Sequence, residues 1–595
     1  MAITKFQGIP QYDPGDKEKF TIVKEEIGDK VVDVIYRKGV PGVTKEEMSG
    51  DVTRSYNFNQ KLKFRTYEAA EGIICVQDQV VELRDGKKIY VDLFLPSDQK
   101  GPFPLIISWG PFGKRQSEGT GEWKLMGVAP GTVSTLSKFE SADPSYWCRK
   151  GYAMANCDPR GVGNSEGFVS NFGPQDGRDG YDFIEWAATQ PWCNGKISLF
   201  GNSGVAMVIW RIAAEQPPHL TCIAVWEGTG DLYRETMCSG GIPTPKFNEG
   251  ILAGIACNEY IEDLPNMLST HPYMDEFWES RIPKWENIKI PAYVAAGWCH
   301  FHLRGSIEGF RRIRSPKKWL RTHREFEWPD TYSPQNLDDL CKFYDRYLKD
   351  IRNGWEFTPR VRIEVQDAYD FDYRTNRPEK AFPIPRTEYR KLYLDAASST
   401  ACYEPYAAEA TAVYTPDQEG KAVFDFKVQE ETEITGYMKL HLNVECRGHD
   451  NMSLFVWVKK LGQDGEYLPI ISMGQPYRGA WGYCNCQRRE LDPKLSTDFN
   501  PVQAHLRDEP LEEGKVYPVD IEIWPHSRVW HKGETIRVEI TGSFIRTEWA
   551  MDNTMAFETD NGDGKHVIHT GGKYDSYLQI PFIPPIYKSG DYELR

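Results

Sequence analysis

Residues 196–214 read KISLFGNSGVAMVIWRIAA, and this stretch decides the fold. An apolar run ends at Phe200, a tight turn follows at Gly201-Asn202-Ser203-Gly204, and an apolar segment suited to a helix begins at Val205. A serine on such a strand-to-helix turn is exposed at the carboxyl edge of a parallel sheet, where small neighbours relieve the strained backbone. Ser203 is therefore a candidate nucleophile, although the second glycine directly follows it and the strict G-x-S-x-G pattern is not met. An ordinary Gly-Ser turn is the alternative.

The runs on either side predict an α/β fold with a doubly wound sheet. Val80–Leu83 and Ile89–Leu95 flank a Gly-containing turn, which is typical of an antiparallel hairpin. Asp179 is predicted to open a helix that ends before Pro191. Short apolar runs that alternate with such helices are typical of buried parallel strands. These runs are Pro104–Trp109, Tyr152–Cys157, Ile197–Phe200, Thr221–Trp226 and Ala292–Ala296.

Changes in this pattern divide the chain into four regions. Residues 1–74 are read as an N-terminal extension, and residues 75–231 together with 290–358 as the α/β domain. Residues 232–289 interrupt the strand rhythm with Gly- and Pro-punctuated segments, which predicts an inserted helical cap. From 359 to 595 one strand-like run follows another, which predicts a C-terminal β-sandwich.

Composition excludes several classes of protein. The chain of 595 residues has 71 Lys and Arg against 86 Asp and Glu, a formal net charge of −15, which argues against a nucleic-acid partner. No apolar run reaches the ~18 residues that a membrane helix needs, so no membrane partner is expected. No basic segment followed by an apolar stretch opens the chain, and 13 cysteines are thinly spread. We expect a cytoplasmic protein with free, buried thiols and no cofactor; the subunit count is left open, with a homodimer among the alternatives.

A histidine that could serve as the base of Ser203 should come late in the chain, because hydrolases with a serine on such a turn place their histidine last. His323 follows the strand-like run Trp319-Leu320-Arg321, which would present its side chain beside Ser203. The alternative is a surface histidine in the charged segment THREFEWPD (322–330).

Several longer stretches carry a family resemblance. They read RDGKKIYVDLFLP (84–96), GYAMANCDPRGVGNSEGF (151–168), WCNGKISLFGNSG (192–204), DLYRE (231–235), PLEEGKVYPVDIEIWPHSRVWHKGETIRVEITGS (510–543) and NGDGKHVIHTGGKYDSYLQIPFIP (561–584). These stretches resemble the CocE/NonD family of α/β-hydrolases, which groups cocaine-esterase-like and X-Pro dipeptidyl-peptidase-like enzymes. The resemblance implies an α/β-hydrolase domain, a helical cap, a C-terminal jelly roll and serine esterase or amidase chemistry.

The resemblance also implies residue roles. Ser203 matches the nucleophile, His323 the base, and the backbone N–H of Gly204 one donor of the oxyanion site. The family's oxyanion tyrosine matches Phe112, which lacks the phenolic hydroxyl. Losing one such donor typically costs about 10² to 10³ in rate.

The acid of the triad also departs from the family pattern. An Asp is expected after the Gly-Trp that ends the penultimate strand, but Gly297-Trp298 is followed by Cys299, His300, Phe301 and His302. An acid can instead come from the end of the preceding strand. On that ground we predict that Glu227, directly after Thr221–Trp226, orients His323, with Glu308 as second choice.

Four side chains near these strand ends are predicted to bind substrate: Trp109, Trp298, His300 and His302. One of the two histidines could donate the hydrogen bond that Phe112 cannot. Two histidines without a carboxylate or thiolate at useful spacing do not make a metal site.

The predicted function is hydrolysis of a carboxylic ester, or less readily an amide, of a small, bulky apolar molecule through an acyl-enzyme on Ser203. An X-Pro dipeptidyl-peptidase is the first alternative, because the cap is rich in carboxylates that could recognise a peptide amino terminus. The second alternative is a hydrolase scaffold used for lyase, cyclase or acyl-transfer chemistry or for binding, given the missing tyrosine and the displaced acid.

Overall fold

The computed structural model describes residues 5–41, 61–115, 127–417, 419–477, 479–544, 546–548, 552 and 555–585. These residues form two units. The second unit contains the chain from Pro359 onward together with Cys238–Thr244 and Thr322–Arg324, and the first unit contains the remainder.

The strands before Pro359 include every run predicted to be a buried parallel strand. They are β1 (Phe20–Ile27), β2 (Lys30–Lys38), β3 (Arg65–Ala70), β4 (Ile73–Glu82), β5 (Lys88–Pro96), β6 (Phe103–Trp109), β7 (Ala153–Asp158), β8 (Cys193–Asn202), β9 (Leu220–Trp226), β10 (Tyr260–Glu262), β11 (Ala292–Gly297) and β12 (Lys318–His323).

The central sheet has the order β4-β5-β7-β6-β8-β9-β11. Strands β4 and β5 pair in antiparallel fashion across the turn at 84–87, so the predicted hairpin is confirmed. Strands β7, β6, β8, β9 and β11 pair in parallel. All residues of β6, β7 and β11 are buried, which explains their unbroken apolar character. Strand β12 begins beside β11, where the backbone N–H of Ala292 donates to the carbonyl of Lys317 at 2.9 Å.

The first unit also contains α-helices. They are α1 (Pro144–Arg149), α2 (Pro174–Ala188), α3 (Ser203–Ala214), α4 (Pro245–Gly254), α5 (Leu264–Thr270), α6 (Glu276–Ser280), α7 (Leu303–Arg312), α8 (Glu327–Thr331) and α9 (Pro334–Leu348).

Residues of α1 and α9 share one apolar cluster with sheet residues such as Phe200 and Trp226. Helix α2 packs on α3 so closely that a Cβ at Gly180 would lie 2.4 Å from Ile212 Cδ1. The predicted start of α2 at Asp179 is wrong: the helix begins at Pro174, because proline is well suited to the first turn, where its missing N–H is not needed.

The segment predicted as a cap contains more than helices. Besides α4, α5 and α6 it holds a π-helical turn at Tyr233–Met237 and strand β10. Strand β10 pairs with β2 of the N-terminal hairpin, and Arg281 of this segment forms ion pairs with Glu25 at 2.6 Å and Glu262 at 2.8 Å. The N-terminal strands β1 and β2 and the inserted segment are therefore packed together.

The second unit is built of antiparallel strands. The long strand β19 pairs with β24, β26 and β27, while β25 pairs with β18 and β20. Alternate residues of these strands form a single apolar cluster. The strands are β13 (Val361–Gln366), β14 (Asp372–Glu379), β15 (Glu388–Asp395), β16 (Thr400–Cys402), β17 (Ala410–Tyr414), β18 (Lys421–Lys427), β19 (Thr432–Arg447), β20 (Ser453–Leu461), β21 (Ile470–Ser472), β22 (Gln475–Tyr477), β23 (Ala480–Asn485), β24 (Tyr517–Trp530), β25 (Thr535–Thr541), β26 (Lys565–Thr570) and β27 (Tyr577–Phe582).

All 13 cysteines are free thiols and all but Cys402 are buried, as predicted. Within the described ranges, no helix is long and apolar enough to span a bilayer.

Candidate active site

Ser203 is the first residue of α3 and directly follows β8. Its φ of 52° lies in the left-handed region, which costs a non-glycine residue roughly 1 to 2 kcal/mol. Gly201 permits the sharp turn, since a Cβ there would lie 2.5 Å from Val205 Cγ1 and 2.6 Å from the Val205 carbonyl carbon. The strained backbone and the close strand-to-helix approach are features of a nucleophile-bearing turn.

Gly204 and Phe112 lie together at the predicted oxyanion position. A Cβ at Gly204 would lie 2.7 Å from Cε2 of the Phe112 ring, so only glycine fits under that ring. The backbone N–H of Gly204 donates to Oε2 of Glu140 at 3.0 Å. A carboxyl group that sequence reasoning did not select therefore accepts from the donor expected to hold an oxyanion.

Glu140 is buried and is fixed on both sides. Its own φ is 57°, and its backbone carbonyl accepts from the N–H of Asn202 at 3.1 Å. The next residue, Ser141, exchanges two hydrogen bonds with the Tyr332 hydroxyl, at 3.1 and 3.0 Å. Burial and, next, the charge of Glu327 raise the pKa of Glu140 well above its usual value, while Ser203 and the Gly204 N–H oppose this as hydrogen-bond partners.

His300 lies between two further carboxyl groups. It follows β11, and its Nδ1 is 3.6 Å from Oε2 of Glu227, which follows β9 with a φ of 59°. On the other side, His300 Nε2 is 3.3 Å from Oε1 of Glu327 in α8. Because Nδ1 accepts the backbone N–H of His302 at 3.0 Å, the neutral ring carries its proton on Nε2, facing Glu327.

The other predicted substrate-binding residues lie deep in the fold. His302 Nδ1 is 2.9 Å from the Glu227 carbonyl oxygen, and burial followed by the charge of His300 lowers the pKa of His302 well below its usual value. Trp109, the last residue of β6, packs on Phe183 of α2 with ring centroids 5.8 Å apart. Trp298 is fully buried. Substrate contact by these side chains stays a prediction.

The predicted base and the two candidate acids occupy different surroundings. His323 is the last residue of β12 and is buried. Glu308 lies in α7, where its carboxylate is 2.5 Å from Arg311 Nη1 and 3.0 Å from Arg312 Nε. Glu227 faces His300. The pairing of His323 with Ser203 and with Glu227 stays a prediction.

Sequence reasoning missed Glu140 and Glu327. Glu327 lies four residues after His323 in the segment that was weighed as a charged surface loop, yet it is 1% exposed. The position of Glu327 between two aromatic residues, Phe326 and Trp328, is the signal in the sequence that indicates burial. No comparable signal marks Glu140. No group of three or more His, Cys, Asp or Glu side chains is arranged to hold a metal ion in the part of the chain described here.

Comparison with known proteins agrees with this architecture. Residues 85–259 match the family model of X-Pro dipeptidyl-peptidase (S15 family). Residues 353–579 match the model of the X-Pro dipeptidyl-peptidase C-terminal non-catalytic domain.

A crystal structure of a CocE/NonD family hydrolase from Staphylococcus aureus is 35% identical, with a TM-score of 0.81 over 86% of this chain and 94% of the other. The chain belongs to the CocE/NonD family. Its resemblance to that family is thereby confirmed, and this CocE/NonD protein is a serine hydrolase.

More distant relatives extend the likeness. Cocaine esterase from a Rhodococcus species is 22% identical over 599 residues, which cover 85% of this CocE/NonD chain and 98% of the esterase. The structure of an α-amino acid ester hydrolase is 15% identical, with a TM-score of 0.62 over 88% of this chain and 98% of the other, which shows a shared fold.

Proposed function

We propose that this CocE/NonD hydrolase cleaves carboxylic esters of small, bulky apolar acids or alcohols through an acyl-enzyme on Ser203. The observation that carries the proposal is the strained, left-handed Ser203 at the end of β8, with the Gly204 N–H beside it. An aromatic cluster lies beside that turn: the Phe112 ring lies against Gly204, Phe112 and Phe139 have centroids 5.4 Å apart, and Phe139 and Trp328 5.9 Å apart. Aromatic rings beside the nucleophile favour an apolar or aromatic substrate.

In the proposed reaction, Ser203 Oγ attacks the acyl carbon while its proton passes to His323. The tetrahedral intermediate expels the alcohol, which takes that proton, and leaves an acyl group on Ser203. Water then attacks the acyl carbon and gives a proton to His323, which returns it to Ser203 as the acid leaves. Glu227 stays our proposed orienting carboxylate because it directly follows β9, a strand of the same sheet.

The X-Pro dipeptidyl-peptidase is the second candidate, and the matched family models favour it. It needs a carboxylate free to bind a peptide amino terminus. In this chain Glu262 of the cap pairs with Arg281 at 2.8 Å, and Glu249 pairs with Arg37 at 2.9 Å. These carboxylates already have cationic partners, which supports the ester over the peptide.

The two candidates are distinguished by comparing the turnover of simple chromogenic acyl esters with that of an alanyl-prolyl anilide. We expect ester hydrolysis with a kcat/KM far above that for the anilide. Preferred cleavage of the anilide would replace the ester proposal by the peptidase, and no cleavage of either by folded protein would favour non-hydrolytic chemistry.

Three further points stay proposals: the jelly-roll connectivity of the C-terminal β-unit, a cytoplasmic location and the number of subunits. Sedimentation of the purified chain would settle the last of these.

A further inference from the structure

The position of Glu140 raises a chemical question about the oxyanion site. Its Oε2 lies 3.0 Å from the Gly204 nitrogen, and Ser203 is also its hydrogen-bond partner. An oxyanion formed on a Ser203 adduct would accept from the same N–H. Two oxygens that use one N–H must lie close to each other, so the Glu140 carboxyl group and the oxyanion would be neighbours.

If both neighbouring oxygens were anionic, they would repel each other strongly in a buried site. The carboxyl group must therefore move away or carry a proton. The Asn202 hydrogen bond to the Glu140 carbonyl and the Tyr332 hydrogen bonds to Ser141 fix the backbone here, so the carboxyl group can move only by rotation of its own side chain. Protonation turns the same group from a repelling neighbour into a hydrogen-bond donor.

We propose that Glu140 is a catalytic residue of the oxyanion site: as a neutral carboxylic acid it donates a hydrogen bond to the oxyanion on the acyl carbon. It thereby fills the role of the hydroxyl that Phe112 lacks. The Phe112 ring and the Glu140 carboxyl group approach Gly204 together, since a Cβ at Gly204 would contact Phe112 at 2.7 Å and Glu140 Oε2 at 3.5 Å. This inference rests on the proposed acyl-enzyme at Ser203.

Burial and the charge of Glu327 favour the protonated form of Glu140, against the hydrogen bonds from Ser203, Trp328 and the Gly204 N–H. Glu327 of α8 contributes a negative charge that raises the pKa of Glu140 after burial has done so. Tyr332 faces it as well, and burial raises the pKa of that phenol, so Tyr332 is neutral. His300 Nε2 lies 3.3 Å from Oε1 of Glu327. Activity is then present below the raised pKa of Glu140 and is lost as the pH rises through it.

The test measures kcat and KM for a p-nitrophenyl ester from acidic to alkaline pH in wild type, Glu140→Gln, Glu140→Ala and the same Ala variant with Phe112→Tyr. We expect Glu140→Ala to lower kcat about 10²- to 10³-fold with little change in KM, as loss of an oxyanion donor does. Glu140→Gln keeps an N–H donor at every pH, so it should remain within about tenfold of wild type and lack the alkaline loss. Phe112→Tyr should recover part of the activity that Glu140→Ala loses.

Labelling of Ser203 by a fluorophosphonate in each variant separates this inference from the proposed function. If wild type and Glu140→Ala are both labelled and hydrolyse the ester equally fast, or if Glu140→Ala is faster, Glu140 only blocks the site and the inference is overturned. An alkaline loss that persists in Glu140→Gln would also overturn it. If Ser203 of the wild type is neither labelled nor needed for turnover, the proposed function itself fails. Should Glu140→Ala not fold, the Gln variant alone decides through its pH profile.

Discussion

The turn that carries Ser203 and the carboxyl groups around His300 lie at the same carboxyl edge of the sheet but are built differently. The turn comes from one continuous stretch, in which Gly201 and Gly204 allow Val205 and Phe112 to approach the backbone. The carboxyl groups come from separate segments: Glu140 precedes α1, Glu227 follows β9, and Glu327 opens α8. A local motif thus supplies the proposed nucleophile, whereas tertiary packing supplies the proposed acids.

The difference teaches where catalysis can vary within such a fold. The turn is constrained by backbone geometry, since Ser203 has a φ of 52° and Gly201 leaves no space for a Cβ. A catalytic acid needs only to place its carboxyl group at the right position, so different chain segments can supply it. In our proposal, Glu227 takes the place of the Asp expected after Gly297-Trp298, and Glu140 takes the place of the hydroxyl that Phe112 lacks.

Removal of the nucleophile should have the largest effect. Ser203→Ala is expected to lower ester turnover by about 10⁴-fold or more, as loss of a triad serine does. The matched control is Ser198→Ala in the preceding strand β8, where the Ser198 hydroxyl donates to the Cys222 carbonyl at 2.8 Å and takes no part in the proposed site. Steady-state kinetics on both variants test this prediction. Comparable turnover by Ser203→Ala and Ser198→Ala would show that Ser203 is not the nucleophile.

The next largest effect on kcat should distinguish the two candidate acids, Glu227 and Glu308. Glu227→Gln is expected to lower kcat by about 10² or more, because an orienting carboxylate of a triad can be worth up to about 10⁴. Glu308→Gln should change it only a few-fold, since that carboxylate is paired with Arg311 and Arg312 on its own helix. Equal kcat values for the two variants would show that Glu227 is not the acid.

Glu327 should set the pH dependence rather than the maximal rate. Glu327→Gln removes the charge that raises the pKa of Glu140, so Glu140 loses its proton at lower pH. We expect the alkaline loss of activity to move to lower pH, with a kcat change of only several-fold at the optimum. If Glu327→Gln loses activity at the same alkaline pH as wild type, the charge of Glu327 does not set the pKa of Glu140.

A buried carboxyl group outside the proposed catalytic set, Asp176, should affect stability far more than turnover. Burial, followed by the charge of Asp179, raises the pKa of Asp176 to about 8. Because the folded state then binds a proton that the unfolded state releases, wild type loses stability as the pH rises from the ordinary Asp range through about 8. Asp176→Asn should flatten that dependence in urea unfolding and leave kcat within about twofold; an unchanged pH slope would contradict a protonated Asp176.

Much of the fold was readable from the sequence because its signals are local. The hairpin around 84–87, the fully buried β6, β7 and β11 and the turn at Ser203 each depend on a few consecutive residues. The start of α2 was misplaced, since Pro174 outweighed the capping signal of Asp179. Glu140 could not be found in this way: it meets Gly204 across 64 residues of chain, and its own segment carries no pattern.

The surroundings of His300 show the same limit. Its neighbours Glu227 and Glu327 are brought to it by two different chain segments, and the sequence predicted a histidine there as a substrate contact or as a substitute for the missing tyrosine, without either carboxyl neighbour.

Mass spectrometry after treatment with a fluorophosphonate tests the nucleophile most directly. Our account predicts one adduct per chain, on the peptide that contains Ser203, and none after Ser203→Ala. Folded protein that takes up no adduct, or that carries it on another residue, would contradict the assignment of Ser203 and the ester chemistry built on it.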